Sequence, residues 1–163
     1  MLKLIAIIII SIEIVSEEKN WSKKIKKTDV FFRSICKSFP KKYQYSNKRI
    51  YLTLLLSNNK RIKKLNKKFR NKNKPTDVLS FPFESKIKIK NKLYLGDIII
   101  SYDFMNKPKN QNINLFKDKV VKTFIHGFLH LLNFDHIKLK DYKKMFKEEQ
   151  KIFQSVIKKK QLN

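Results

Sequence analysis

The stretch HGFLHLLNFDH, residues 126–136, holds all three histidines of a 163-residue chain and one of its two glycines. Upstream of it and within it, Val120, Val121, Phe124, Ile125, Phe128, Leu129 and Leu132 recur at helical spacing, which predicts a helix over about 116–132. His126 and His130, four apart, then share one helix face and can grip one ion. A straight helix would carry His136, six residues further on, away from that pair. The chain must therefore break, and Asn133 is the expected point, because asparagine tolerates the left-handed conformation that ends helices. Past that turn, His136 can return to the same ion. Isolated histidines are mostly ordinary core or surface residues. Three in an H-x3-H-x5-H array, in a chain with no others, point to a metal. Three neutral nitrogens suit zinc and leave a fourth position for water, the pattern of a catalytic site.

The histidine spacing equals that of the metzincin proteases, which place a general-base glutamate directly after the first histidine. This chain has Gly127 there. Peptide hydrolysis would lack the group that takes the proton from water, and the missing side chain is expected to leave space beside the metal for a bulky substrate such as a nucleic-acid backbone. Asp135 is the one carboxylate inside the array. It either orients a histidine or caps the turn.

Outward from this block, elements alternate. Ile10, Ile12 and Ile14 alternate with Ser11 and Glu13, the period of a strand. The apolar run around them also resembles a signal or anchor segment, but it lacks a small-residue cleavage site, is interrupted by Glu13 and is too short to span a bilayer as a helix. Residues 20–38 read as one amphipathic helix with Trp21, Ile25, Val30, Phe31 and Ile35 inward. Residues 48–57 read as a strand, and 58–70 as a helix capped by Asn58 or Asn59 with Ile62, Leu65 and Phe69 on one face. Residues 76–83 and 92–101 are further strands, joined by a Lys-rich hairpin or loop. Residues 103–115 read as a polar loop. A last helix over about 141–158 would turn Tyr142, Met145, Phe146, Ile152, Phe153 and Val156 inward. The expectation is a single α+β domain over 1–163, a mixed sheet of about four strands packed with four to five helices and a zinc site at a helix-turn.

The formal charge of +26 attracts polyanions, RNA foremost. Lysine greatly outnumbers the four arginines, and isoleucine, asparagine and phenylalanine are abundant. These residues have A/T-rich codons, so genome composition explains the charge as readily as function does. Against such a bias, Arg33, Arg49, Arg61 and Arg70 are individually more telling. The lone Cys36 can form no internal disulfide, which suits a reducing compartment, and is expected to be buried.

The scarce residue types gather in three places. Pro75 and Pro82 bracket TDVLSF, Gly96 opens GDIII, and the histidine block is the third. A glycine entering a strand suggests close backbone approach or a special dihedral. Arg70 ends the second predicted helix just before this first group. Arginine is the best fork for phosphate oxygens, although a lone arginine there is more often a solvated helix-end charge.

Together LNKKFRNKNKPTDVLSFPF, LGDIIIS and HGFLHLLNFDH resemble the signatures of the bacterial YbeY family of rRNA maturation endoribonucleases, over about residues 50–155. A weaker echo, Met145 and Glu149, lies in the last helix. The resemblance implies one zinc per chain held by His126, His130 and His136, and a role for Arg70 in RNA processing. It implies a cytoplasmic single-strand-specific endoribonuclease in maturation of the 16S rRNA 3′ end and in ribosome quality control. Its partners would be rRNA precursor and small-subunit components, without membrane or DNA. Where the family usually has Gly-Tyr, this chain has Asn133 and Phe134; asparagine is tolerable at a left-handed turn, and phenylalanine loses a hydroxyl.

Three readings follow. The first is a zinc-dependent endoribonuclease in which Arg70 stabilises charge on phosphoryl oxygens. The second is a metzincin-like zinc peptidase, against which Gly127 argues. The third is a non-enzymatic ribosome-assembly factor whose zinc holds a rigid RNA-binding surface.

Overall fold

The computed structural model describes residues 10–44, 49–84, 88–89 and 92–161. The N-terminal run 1–9, Lys48 and most of the Lys-rich connection lie outside the described residues, so only the end of the signal-or-anchor reading falls within them, and there the chain is a strand. That strand, β1 (Ser11–Ser16), is followed by α1 (Asn20–Lys24), α2 (Thr28–Lys37), a 3-10 turn (Lys41–Tyr43), β2 (Arg49–Ser57), α3 (Asn59–Arg70), β3 (Val78–Pro82), β4 (Lys88–Ile89), β5 (Lys92–Ser101), α4 (Tyr102–Met105), α5 (Ile113–Leu131) and α6 (Leu139–Gln161). The fold is α+β. Its sheet runs β1-β2-β5-β3, with β1, β2 and β5 mutually parallel, β3 antiparallel to β5, and the short β4 pairing β5. No helix among the described residues is long and apolar enough to cross a membrane.

Alternation decides which face each strand buries. Ile10, Ile12, Leu52, Leu54, Leu56, Ile98 and Ile100 join the main core with residues of α1, α2, α5 and α6. That core is rich in aromatics. Phe39 lies edge-on to Phe128, Phe32 edge-on to Phe124, and the wholly buried Trp21 donates from Nε1 to the Ser57 carbonyl at 3.1 Å. Edge-to-face contacts of this kind add about 0.5–1.5 kcal/mol beyond area burial. The opposite face carries a smaller cluster of Ile62, Leu79 and Ile99 under α3.

Several sequence expectations need correction. The helix expected over 20–38 is two helices, because Ile25 is extended. Lys23, Lys24, Lys26 and Lys27 crowd like charges at helical spacing, and Asp29 suits the first turn of a new helix. Val30 lies off the stripe made by Trp21, Ile25, Phe32, Ile35 and Cys36 and is 62% exposed. The loop expected over 103–115 contains most of α4 and the first turn of α5, which Asn112 caps by accepting from the Leu115 amide at 2.9 Å. Tyr142 and Phe146 do not point inward; Met145, Ile152 and Val156 do.

α6 is anchored at its middle. Burial pushes the Glu148 carboxyl up, but hydrogen bonds from Lys42, Tyr43 and Lys151 outweigh this and hold its pKa down at about 2. Glu148 thereby ties α6 to the 3-10 turn, which fixes the height of its neighbour Glu149.

Gly96 in β5 has φ +130°, and a Cβ there would lie 2.1 Å from the Phe81 carbonyl oxygen on β3. Gly96→Ala is expected to cost at least about 2 kcal/mol through backbone strain and overlap; an unshifted urea midpoint would contradict this. Cys36 is wholly buried, which pushes its thiol up to about 12. The folded protein should resist alkylation at neutral pH and react only once denatured.

Candidate metal centre

α5 carries His126 and His130 on one face, and its end determines where the chain goes next. Asn133 has φ 63°, left-handed. Its amide donates to the His130 carbonyl at 3.0 Å, and the Phe134 amide donates to the Leu129 carbonyl at 3.0 Å. These two bonds form a Schellman turn, which satisfies the last carbonyls of the helix while reversing the chain. His136 returns to the pair, with its ring centre 5.3 Å from that of His126 and 5.1 Å from that of His130. The break expected at Asn133 is there.

The protons on the two helical histidines are placed by their partners. His130 Nδ1–H donates to the Phe134 carbonyl at 2.9 Å, and His126 Nδ1–H donates to Glu149 Oε1 at 2.6 Å. Each ring therefore carries its proton on Nδ1 and turns a bare Nε2 inward, and the two Nε2 atoms lie 3.1 Å apart. Two lone pairs facing one another so closely repel unless a cation lies between them. Nitrogen ligands about 2.0–2.1 Å from one tetrahedral ion would be separated by only slightly more. One ligand nitrogen from each of the three histidines falls within a common span of 4.8 Å. The donor set thus fits a metal ion. Burial, then the neighbouring His126 and His136, lowers the pKa of His130, keeping it neutral as a ligand must be.

In the sequence Glu149 is only a weak echo in the last helix, whereas the structure makes it the orienting partner of His126. The other candidate, Asp135, caps the turn instead, its Oδ1 accepting from the His136 amide at 2.7 Å. Gly127 also needs correction. It leaves no free space beside the histidine cluster, because a Cβ there would meet Ile98 at 3.0 Å, Ser80 at 3.1 Å and Val78 at 3.3 Å. The glycine lets α5 press onto the sheet, and Ser80 Oγ–H donates to its carbonyl at 3.0 Å. The close approach sets the depth of both helical histidines.

Arg70 reaches the same cleft from the other side. It is the last residue of α3, followed by left-handed Asn71. The buried Asn66 pins the departing loop by donating from Nδ2 to the Lys74 carbonyl at 2.7 Å and accepting the Lys72 amide at its own carbonyl. Arg70 and Lys72 then line a cleft of about 680 Å³ with His126, His130 and His136. These residues lie far apart in the chain, and the fold brings them together.

An α+β domain with three converging histidine nitrogens at a helix-ending turn defines a class of metal-binding domain. Comparison with known proteins narrows it. Residues 9–157 match the family model described as endoribonuclease YbeY. An endoribonuclease YbeY from Pelagibacter ubique is 68% identical, the match covering 90% of this chain and 96% of that protein. One from Sulfurihydrogenibium is 40% identical, covering 82% and 85%. A solution structure of TM1509 from Thermotoga maritima superposes with a TM-score of 0.55 at 27% identity, covering 93% of each chain. The chain belongs to the endoribonuclease YbeY family.

Glu149→Gln keeps the shape of the side chain and removes the charge that holds His126. It should weaken metal affinity about 10- to 100-fold in competition with a chromophoric chelator, with an unchanged circular dichroism spectrum. Wild-type affinity in this variant would rule out the orienting role.

Proposed function

We propose that residues 1–163 form one zinc-dependent endoribonuclease domain that cuts single-stranded RNA, in maturation of the 16S rRNA 3′ end and in ribosome quality control. The observation that carries this reading is the convergence of three histidine nitrogens in one cleft with Arg70. The name shared by the relatives supplies the substrate class. The site suits zinc by its donors, one ion per chain. A zinc ion held there would supply Lewis acidity and lower the pKa of water toward neutrality.

The remaining work belongs to the chain's own residues. Glu149 and the Phe134 carbonyl hold the two helical imidazoles in the tautomer that leaves Nε2 available. Arg70 offers a planar fork to non-bridging phosphate oxygens, and Lys72 adds a second positive charge on the same wall. Charge developing on the phosphoryl group would meet a guanidinium already in place. The +26 formal charge draws a polyanion toward the cleft. A peptidase reading loses its footing, since the position after His126 packs against Ile98 and Val78 and holds no carboxylate. In the cell, a cytoplasmic location with small-subunit rRNA and proteins as partners accords with this substrate.

Purified full-length protein should cleave single-stranded RNA, lose that activity on chelation and regain it with zinc. Arg70→Ala should lower kcat/KM by about 10²–10³-fold, and Arg70→Lys should recover only part of it. A well-folded His126→Ala protein that cleaves RNA at the wild-type rate would overturn the proposal and favour a purely structural role in ribosome assembly.

A further inference from the structure

We propose that a hollow on the α6 side of His126 is a nucleobase subsite that takes one unstacked base of the bound strand. This rests on the endoribonuclease reading and goes beyond it, because it says how a single strand is selected. The hollow measures about 340 Å³ and lies among α5, α6 and the start of β3. That is within the range of small-ligand pockets, about 300–1,000 Å³. Asp77, Val78 and His126 line both this hollow and the histidine cleft, so a strand seated in the cleft runs past its mouth.

Its walls have the chemistry of base recognition. Phe146 and Phe153 supply aromatic surface. Thr123 and Gln150 supply a hydroxyl and an amide, each able to donate and accept along a base edge. Lys122 Nζ sits 4.8 Å from the Phe153 ring centre, leaving a cation at the rim. Phe146 is 48% exposed and lies nearly parallel to Tyr142, with ring centres 6.1 Å apart and an interplanar angle of 14°. With Leu139 they form a stripe at i, i+3 and i+7 on α6 that nothing among the described residues covers, 69%, 50% and 48% exposed in order.

Lys143 and Lys147 each follow an aromatic of this stripe, so the apolar surface is edged with positive charge. Aromatic faces interleaved with lysines make a stacking platform for single-stranded nucleic acid, because every base has a π-face and every linkage a negative charge. A base still paired within a helix cannot turn into such a hollow. The hollow therefore selects unpaired RNA beside the site of cleavage.

The test is an abasic scan. A short single-stranded RNA and a series lacking one base at each position in turn are bound to the metal-loaded full chain in the cold. Anisotropy reports affinity, and a denaturing gel checks that the RNA stays intact. One abasic position should weaken binding about 5- to 100-fold. Phe146→Ala should weaken the intact RNA by a similar factor and flatten the scan, and Phe146→Trp should restore both. A flat scan with tight wild-type binding would overturn the subsite alone. Unchanged RNA affinity in Phe146→Ala would also overturn it and assign the exposed aromatics to a protein partner. No binding of RNA by the wild-type protein would overturn the subsite and the endoribonuclease reading together.

Discussion

The left-handed turn at Asn133 is the constraint on which the rest of the centre depends. It ends α5, satisfies the helix's last carbonyls and sends the chain back toward the histidine face. The reversal brings His136 to the other two histidines, and the Phe134 carbonyl it exposes accepts the His130 proton. One backbone conformation thus brings in the third histidine and fixes the tautomer of the second. A continuous helix at this point would remove both. The hydroxyl lost with phenylalanine at 134 has no bearing on this contact, which uses main-chain oxygen.

The glycine-poor composition shows where backbone freedom is indispensable. Among the described residues the two non-glycine positions with positive φ are Asn71 and Asn133. Each stands beside a residue group of the cleft, Asn71 after Arg70 and Asn133 between His130 and His136. Asparagine is the L-residue best able to pay the steric cost of that region. The two glycines remain where asparagine could not serve. At Gly96 a Cβ would strike the neighbouring strand's carbonyl, and at Gly127 it would crowd the Ile98, Ser80 and Val78 side chains of the sheet.

Much of this was legible in the sequence because the relevant signals are local. The i,i+4 histidine pair, the turn at Asn133 and the alternation in Ser11–Ser16 each follow from spacing within a few residues. What escaped was non-local. Glu149 lies 23 positions after His126, and no periodicity marks it as that residue's partner. Gly127 looked like open space because the sheet it packs against is distant in sequence. Tyr142 and Phe146 fall on an apolar helical period and read as core, yet the stripe has no partner among the described residues. A hydrophobic period records that a face is apolar and not what covers it.

X-ray absorption at the zinc edge of the purified full-length protein bears most directly on the central claim, that one metal ion is held by His126, His130 and His136. The account predicts one bound ion per chain and scattering from three imidazole rings at about 2.0–2.1 Å. It also predicts that the His136→Ala protein shows two such rings. Less than about half an equivalent of metal in protein prepared without chelator, or an imidazole count unchanged by His136→Ala, would contradict it.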